Sequence, residues 1–183
     1  MSDEQGWIQT RNHHRFEPLG NLGVIDIEDI AHHLALRNRY SGATARPYSV
    51  AQHSCIVANL IADPGLRMWG LLHDAAEAYL PDIAYPIKPD VFVWVDDKLV
   101  SFAEAEDRIL HRVAFCFGLS WPLPSAVMQV DRRVAATERR DLMASGLDWS
   151  ETDQIEPYPQ EIKPLKWKAA RRLFLETFER LAG

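Results

Sequence analysis

His73 and Asp74 are adjacent in the run Gly70-Leu71-Leu72-His73-Asp74-Ala75-Ala76-Glu77-Ala78-Tyr79, which follows Met68 and Trp69. The run is apolar and rich in helix formers, and it predicts a largely buried helix. An unpaired carboxylate in such a helix is costly. A cation held by both side chains removes that penalty. Adjacent helical positions lie ~100° apart around the axis, so an imidazole and a carboxylate there can lean toward one ion. Glu77 stands at i+4 from His73 and i+3 from Asp74, on the same face. The competing reading is a core histidine beside a capping or salt-bridged aspartate, and for an isolated His-Asp pair it is the commoner case.

Further donors sit in similar surroundings. Tyr48-Ser49-Val50-Ala51-Gln52-His53-Ser54 opens a second apolar helix with Ser49 as its N-cap. His53, Ile56, Val57 and Leu60 recur at i, i+3, i+4 and i+7, so His53 faces inward with the core residues. Asp131 lies among apolar residues in Ser125-Ala126-Val127-Met128-Gln129-Val130-Asp131, and Glu138 follows two turns later on the same face. His53, His73, Asp74 and Asp131 thus offer two imidazoles and two carboxylates from three helices. Cys55 is ~200° around the helix from His53 and reads as a packing residue.

These residues also occur in a familiar order. The chain resembles the HD-domain metal-dependent phosphohydrolases, whose pattern is H…HD…D, and within them the YfdR-like branch related to YfbR-type 5'-deoxynucleotidases. Five ordered blocks carry the likeness across nearly the whole chain. They are Asp29-Ile30-Ala31 with Arg39-Tyr40-Ser41-Gly42, Tyr48 to His53, His73 to Tyr79, Asp82-Ile83 with Pro86-Ile87-Lys88, and Ala136 to Leu142. One position departs from the pattern: relatives often carry a histidine where this chain has Ala43.

The resemblance implies one divalent transition metal on His53, His73, Asp74 and Asp131. The ligand mix suits Mn, Co, Fe, Ni or Zn without choosing among them. Such an ion polarises a phosphoryl oxygen and acidifies water, which favours phosphate-ester hydrolysis. Glu77 shares the ligands' face without completing the set, and the resemblance makes it the general acid or base; otherwise it is a solvated helix carboxylate. By the same resemblance Arg39 binds a 5'-phosphate, Asp82 holds a sugar 3'-hydroxyl, and Tyr40 blocks a 2'-hydroxyl. Read without it, they are a surface charge, an N-cap and a core aromatic. Lys88 can reach a phosphate or stay exposed. Glu138 orients a metal-binding histidine or pairs with Arg139 or Arg140.

The implied activity is a 5'-deoxynucleotidase that releases phosphate from deoxynucleoside monophosphates. Two alternatives stay open: a dNTP triphosphohydrolase, and a catalytically silent metal-stabilised nucleotide-binding or sensor protein. Glu77 argues against the silent protein and Ala43 for it. By analogy the protein is a homodimer or higher homo-oligomer.

At 183 residues the chain predicts a single domain, 1–183, long enough to bury a real core. Apolar residues make up 47 %, as in globular proteins. There is no apolar run of ~20 residues and no signal-like start, so no membrane partner is expected. Two distant cysteines suit reduced thiols in a cytoplasmic setting. A net charge of −6 argues against nucleic-acid binding, while a small nucleotide needs only one or two local cations.

The expected fold is all-α, an HD-domain helical bundle with a small N-terminal β-hairpin or extended arm. Helices are expected at about 26–38, 49–62, 65–79, 93–117, 125–144 and 161–181. Asp63-Pro64-Gly65 separates the second and third, and Gly118 ends the fourth. In the last helix Leu165, Trp167, Ala169, Leu173, Phe174, Phe178 and Leu181 form the buried side. Arg132-Arg133 and Arg139-Arg140 read as a solvated face or subunit contact, 146–159 as a surface connection, and His13, His14, His32, His33 and His111 as ordinary histidines.

Overall fold

A computed structural model describes residues 6–84, 86–144 and 154–183. Within them the chain is mostly helical, with two small antiparallel hairpins: β1 (Ile8–Gln9), β2 (Arg15–Phe16), α1 (Ile27–Leu36), α2 (Val50–Leu60), α3 (Arg67–Leu72), β3 (Phe92–Val95), β4 (Lys98–Ser101), α4 (Phe102–Cys116), α5 (Ser125–Leu142) and α6 (Trp167–Ala182). The N-terminal hairpin is where the residue pattern placed it, pairing Ile8 with Phe16.

Helix α2 is the centre of the bundle and packs on α1, α3, α5 and α6. Its start follows from Ser49, whose side chain accepts from the Gln52 N–H, and α1 is capped likewise by Asp26. One core gathers Ile30 and Leu34 of α1, Leu71 and Leu72 of α3, Ile109 of α4 and Phe174 of α6. Each such side chain contributes about 1.5–3 kcal/mol by leaving water. A second cluster surrounds Trp69 with Val57, Ile61, Val127 and Val134, and so ties α5 to α2 and α3. Those two attachments bring Asp131 of α5 over the buried side of α2.

Three expectations change. The helix expected over 65–79 stops at Leu72: Asp74 has φ −97° and ψ 13°, and Ala75–Ala78 form a 3₁₀ turn. Its alanines are buried against α1 and α4, so they serve close packing rather than helix propensity. The stretch 93–101, expected to begin a long helix, is instead the hairpin β3–β4. Phe92 to Val95 is a β-forming run, and Asp96 and Asp97 turn it with φ +47° and +60°. Helix α4 starts where Ser101 accepts from the Glu104 N–H, a capping position. Finally, α6 begins at Trp167 rather than near 161, leaving Leu165 and Trp167 exposed while Ala170, Phe174 and Thr177 are buried. Buried Gln52 holds the extended approach to α6, donating to the Lys163 carbonyl at 2.8 Å and accepting from the Leu165 N–H at 2.8 Å.

The arginines of α5 are not a simple solvated face. Arg133 Nε donates to the Glu156 carbonyl, and Arg140 donates to the carbonyls of Tyr158 and Gln160, fastening that segment to the helix. The expected connection over 146–159 lies partly outside the described residues.

Candidate functional site

His53 projects from the middle of α2 and is fully buried, while His73 caps the C-terminus of α3 and is 5 % exposed. Both rings are held by their Nδ1 atoms. His53 Nδ1 donates to Glu138 Oε1 at 2.7 Å, and His73 Nδ1 donates to the Gly70 carbonyl at 2.8 Å. The two Nε2 atoms therefore face each other, 3.3 Å apart. With both Nδ1 protons committed, each Nε2 of a neutral ring presents a lone pair. Two lone pairs cannot face one another without a proton or a cation between them.

Carboxylates surround that gap. Asp131 Oδ1 of α5 is 3.1 Å from His53 Nε2 and 3.9 Å from His73 Nε2. Asp74 Oδ2 is 3.3 Å from His73 Nε2 and 3.6 Å from His53 Nε2. Donor atoms of His53, His73 and Asp131 all lie within 4.8 Å of one another, close enough to share one ion. Neighbouring donors around a divalent ion stand about 3 Å apart when each bond is about 2.1 Å long. The residues present fit a metal.

The electrostatics agree with the geometry. Burial opposes a charge on His73, but Asp74 first and Asp131 after it raise its pKa to about 9. Burial likewise opposes ionisation of Asp74 and Asp131, yet the imidazoles hold both below the usual carboxylate range. The site thus favours positive charge at the imidazoles.

Glu138 is the anchor behind His53. Its side chain is fully buried and also accepts from Arg39 Nε at 3.1 Å and from the Tyr40 hydroxyl at 2.7 Å. Burial disfavours its charge, but Arg39 and then His53 outweigh that and lower its pKa to about 2. A histidine hydrogen-bonded to a carboxylate is fixed in tautomer and made more basic toward a metal. Of the two partners expected for Glu138, the structure shows the histidine.

Glu77 lies on the 3₁₀ turn after Asp74, its N–H donating to the Asp74 carbonyl at 3.0 Å. Its carboxyl is pushed up to about 8 by burial, then by the charges of Asp74 and Asp82. A cation beside Asp74 weakens the second of these causes. Asp82 is exposed on the segment just past the turn, and no helix begins there.

The cations are distributed differently from the sequence pattern. Arg39 directs Nε to Glu138 and Nη1 to Asp74, the latter at 3.4 Å. Tyr40 lies beneath it, with the guanidinium carbon 5.4 Å from the ring centroid, and its hydroxyl is committed to Glu138. Lys88 pairs with Glu106 at 2.9 Å. Sequence reasoning passed over Arg37, at the C-cap of α1. Burial lowers its pKa, while the charges of Glu77 and then Asp82 act to raise it. Its place two residues before Arg39 was the available signal.

No family model matches the chain. It is 35 % identical over 150 residues to the uncharacterized protein RCAP_rcc00048 of Rhodobacter capsulatus, covering 75 % of this chain and 72 % of the relative. It is 31 % identical over 164 residues to the uncharacterized protein YfdR of Escherichia coli K12, covering 88 % of this chain and 87 % of that protein. With that identity over most of both lengths, the chain belongs to the family of YfdR and RCAP_rcc00048.

Proposed function

We propose that the protein is a metal-dependent phosphohydrolase of the HD type, acting as a 5'-deoxynucleotidase on deoxynucleoside 5'-monophosphates. The observation that carries this reading is the pair of Nε2 atoms at 3.3 Å, with both Nδ1 atoms committed and Asp74 and Asp131 alongside. A divalent transition ion held by His53, His73, Asp74 and Asp131 supplies Lewis acidity toward a phosphoryl oxygen and acidifies water. Glu77, whose carboxyl burial pushes up, sits beside Asp74 as the group to give a proton to the leaving sugar oxygen. Glu138 and the Gly70 carbonyl fix the two imidazoles so that no reorientation accompanies turnover. Arg39 balances Glu138 and Asp74 and can pair with a phosphate, and Arg37 adds a second positive charge. Asp82 is exposed near Glu77 and can accept from a 3'-hydroxyl. Tyr40, tethered by its hydroxyl, is a fixed ring able to exclude a 2'-hydroxyl.

Phosphate release from paired dNMP, NMP and dNTP substrates, each with Mn, Co, Ni and Zn, tests the reading. Inorganic phosphate should appear fastest from deoxynucleoside 5'-monophosphates. Release of intact triphosphate from dNTPs would replace this reading with a triphosphohydrolase. Absence of turnover with every metal, despite stoichiometric metal binding, would replace it with a silent binding protein.

A further inference from the structure

Away from the metal cluster, a cavity of about 690 Å³ opens between the end of α1 and the start of α6. Its volume falls in the range of small-molecule sites, about 300–1,000 Å³. Its apolar wall includes Leu36, Pro47, Leu165 and Trp167. Leu36 is 53 % exposed and Trp167 40 %, so large apolar side chains stand together at a concave surface rather than scattered singly. The polar part is of one sign. Arg46, Lys166 and Lys168 line the cavity, and among the described residues no carboxylate does. On a chain of net charge −6, three cations without an acid among the lining residues form a local anion site.

We propose that this cavity binds a nucleoside di- or triphosphate, as a site separate from the metal centre. Three cations exceed what a single carboxylate can neutralise and suit a chain of phosphates. The indole of Trp167 meets His32 edge-on at 5.8 Å and carries the Lys168 ammonium 5.5 Å from its ring centroid; at 40 % exposure it still offers surface to a flat ring system, which stacks on aromatics whatever its base identity. Asn38, also in the lining, offers an amide donor and acceptor to a base edge. None of the metal-cluster side chains lines the cavity. Asn38 and Arg46 nevertheless flank the loop that carries Arg39 and Tyr40 to Glu138, so an occupant touches both ends of that loop.

Isothermal titration of the chelator-treated full chain with ATP, adenosine and inorganic triphosphate tests the proposal, since chelation removes turnover. ATP should bind at one site, with adenosine and inorganic triphosphate each on the order of tenfold weaker or more, because each supplies half of the contacts. The double variant Lys166→Glu/Lys168→Glu should lose at least about tenfold in ATP affinity. Trp167→Ala should bring ATP down to the level of inorganic triphosphate, and Asp131→Ala should bind ATP as before. All three cavity side chains are exposed, and matching circular-dichroism melts will establish that these variants fold. Three outcomes overturn the proposal: no heat with ATP, loss of binding in Asp131→Ala with retention in the lysine variant, or a change of sedimentation mass on charge reversal. The second places the nucleotide in the metal centre, and the third makes the surface a contact between copies of the chain.

Discussion

Each imidazole in the cluster is useful because something else holds its other nitrogen. For His53 that is Glu138, a carboxylate from 85 residues away that is also held by Arg39 and Tyr40. Glu138→Gln keeps the shape but exchanges a charge for a dipole. It should weaken metal binding on the order of 10–100-fold, the usual effect of losing such a partner, as read by titration against a chelating dye. An unchanged affinity would show that Glu138 serves folding alone. His73→Ala and Asp131→Ala remove donors outright, and elemental analysis of the purified variants should find the metal gone. Full occupancy would refute the ligand set. Glu77→Gln separates chemistry from binding: metal content should be normal, with turnover down roughly 10²–10⁴-fold. Loss of metal would instead make Glu77 a ligand. That His53, His73 and Asp131 come together was legible in the sequence only through their combination, since an isolated His-Asp pair on an apolar helix is more often a core histidine beside a paired aspartate. The ties of Arg39 to Glu138 and Asp74 were not, since they join residues 99 and 35 positions apart.

At the scale of elements, the site depends on how closely α3 approaches α2. Gly70 marks that contact: a Cβ built there would lie 2.4 Å from Ile61 Cδ1 and 2.9 Å from the Ala58 backbone. The same residue's carbonyl accepts from His73. Gly70→Ala should therefore destabilise by about 1–3 kcal/mol through overpacking and weaken metal binding in the same variant. A stability loss with metal affinity intact would separate the packing from the site. The helices α1, α2 and α5 were legible, α2 from its Ser49 cap and its apolar stripe. Elsewhere the alternatives were local and tertiary packing decided. Ala75, Ala76 and Ala78 have high helix propensity, yet their small size fits a tight turn between α1 and α4, and burial outweighs a few tenths of a kcal/mol per residue. In the sequence the β3–β4 hairpin competes with a helical period that runs back from α4 through Val93, and Asp96-Asp97 is the turn signal that decides for the hairpin. Both aspartates have positive φ there, which disfavours any residue with a Cβ. Asp97→Gly should raise the melting temperature, worth up to about 1 kcal/mol; a lower one would mean that the aspartate side chain holds the turn.

For the whole molecule, the proposed metal and protons would compete for one buried space, which would set how stability depends on pH. Without metal, the folded-state pKa of His73 is about 9, above the ordinary 6.5. Its contribution to stability is therefore fully present below about 6.5 and is lost as pH rises through about 9. Glu77 acts in the same direction. Its carboxyl is raised to about 8, so the folded chain keeps a proton there that the unfolded chain has already released. The cost of burying its carboxylate therefore builds up as pH rises toward about 8. Glu138 has the opposite sign, with a pKa lowered to about 2, and its contribution is lost only in acid. Between pH 6.5 and 8.5 the metal-free protein should thus become progressively less stable. On the proposed reading a divalent ion replaces the His73 proton, binds the folded chain preferentially and binds more tightly as that proton leaves. The rise in melting temperature on adding Mn, Co, Ni or Zn should consequently be larger at pH 8.5 than at pH 6.5. Thermal melts at a fixed excess of metal, each paired with a chelator control, measure that difference directly. An equal or smaller shift at the higher pH would mean that the ion does not displace the protons on His73, and that the cluster of His53, His73, Asp74 and Asp131 is not where it binds.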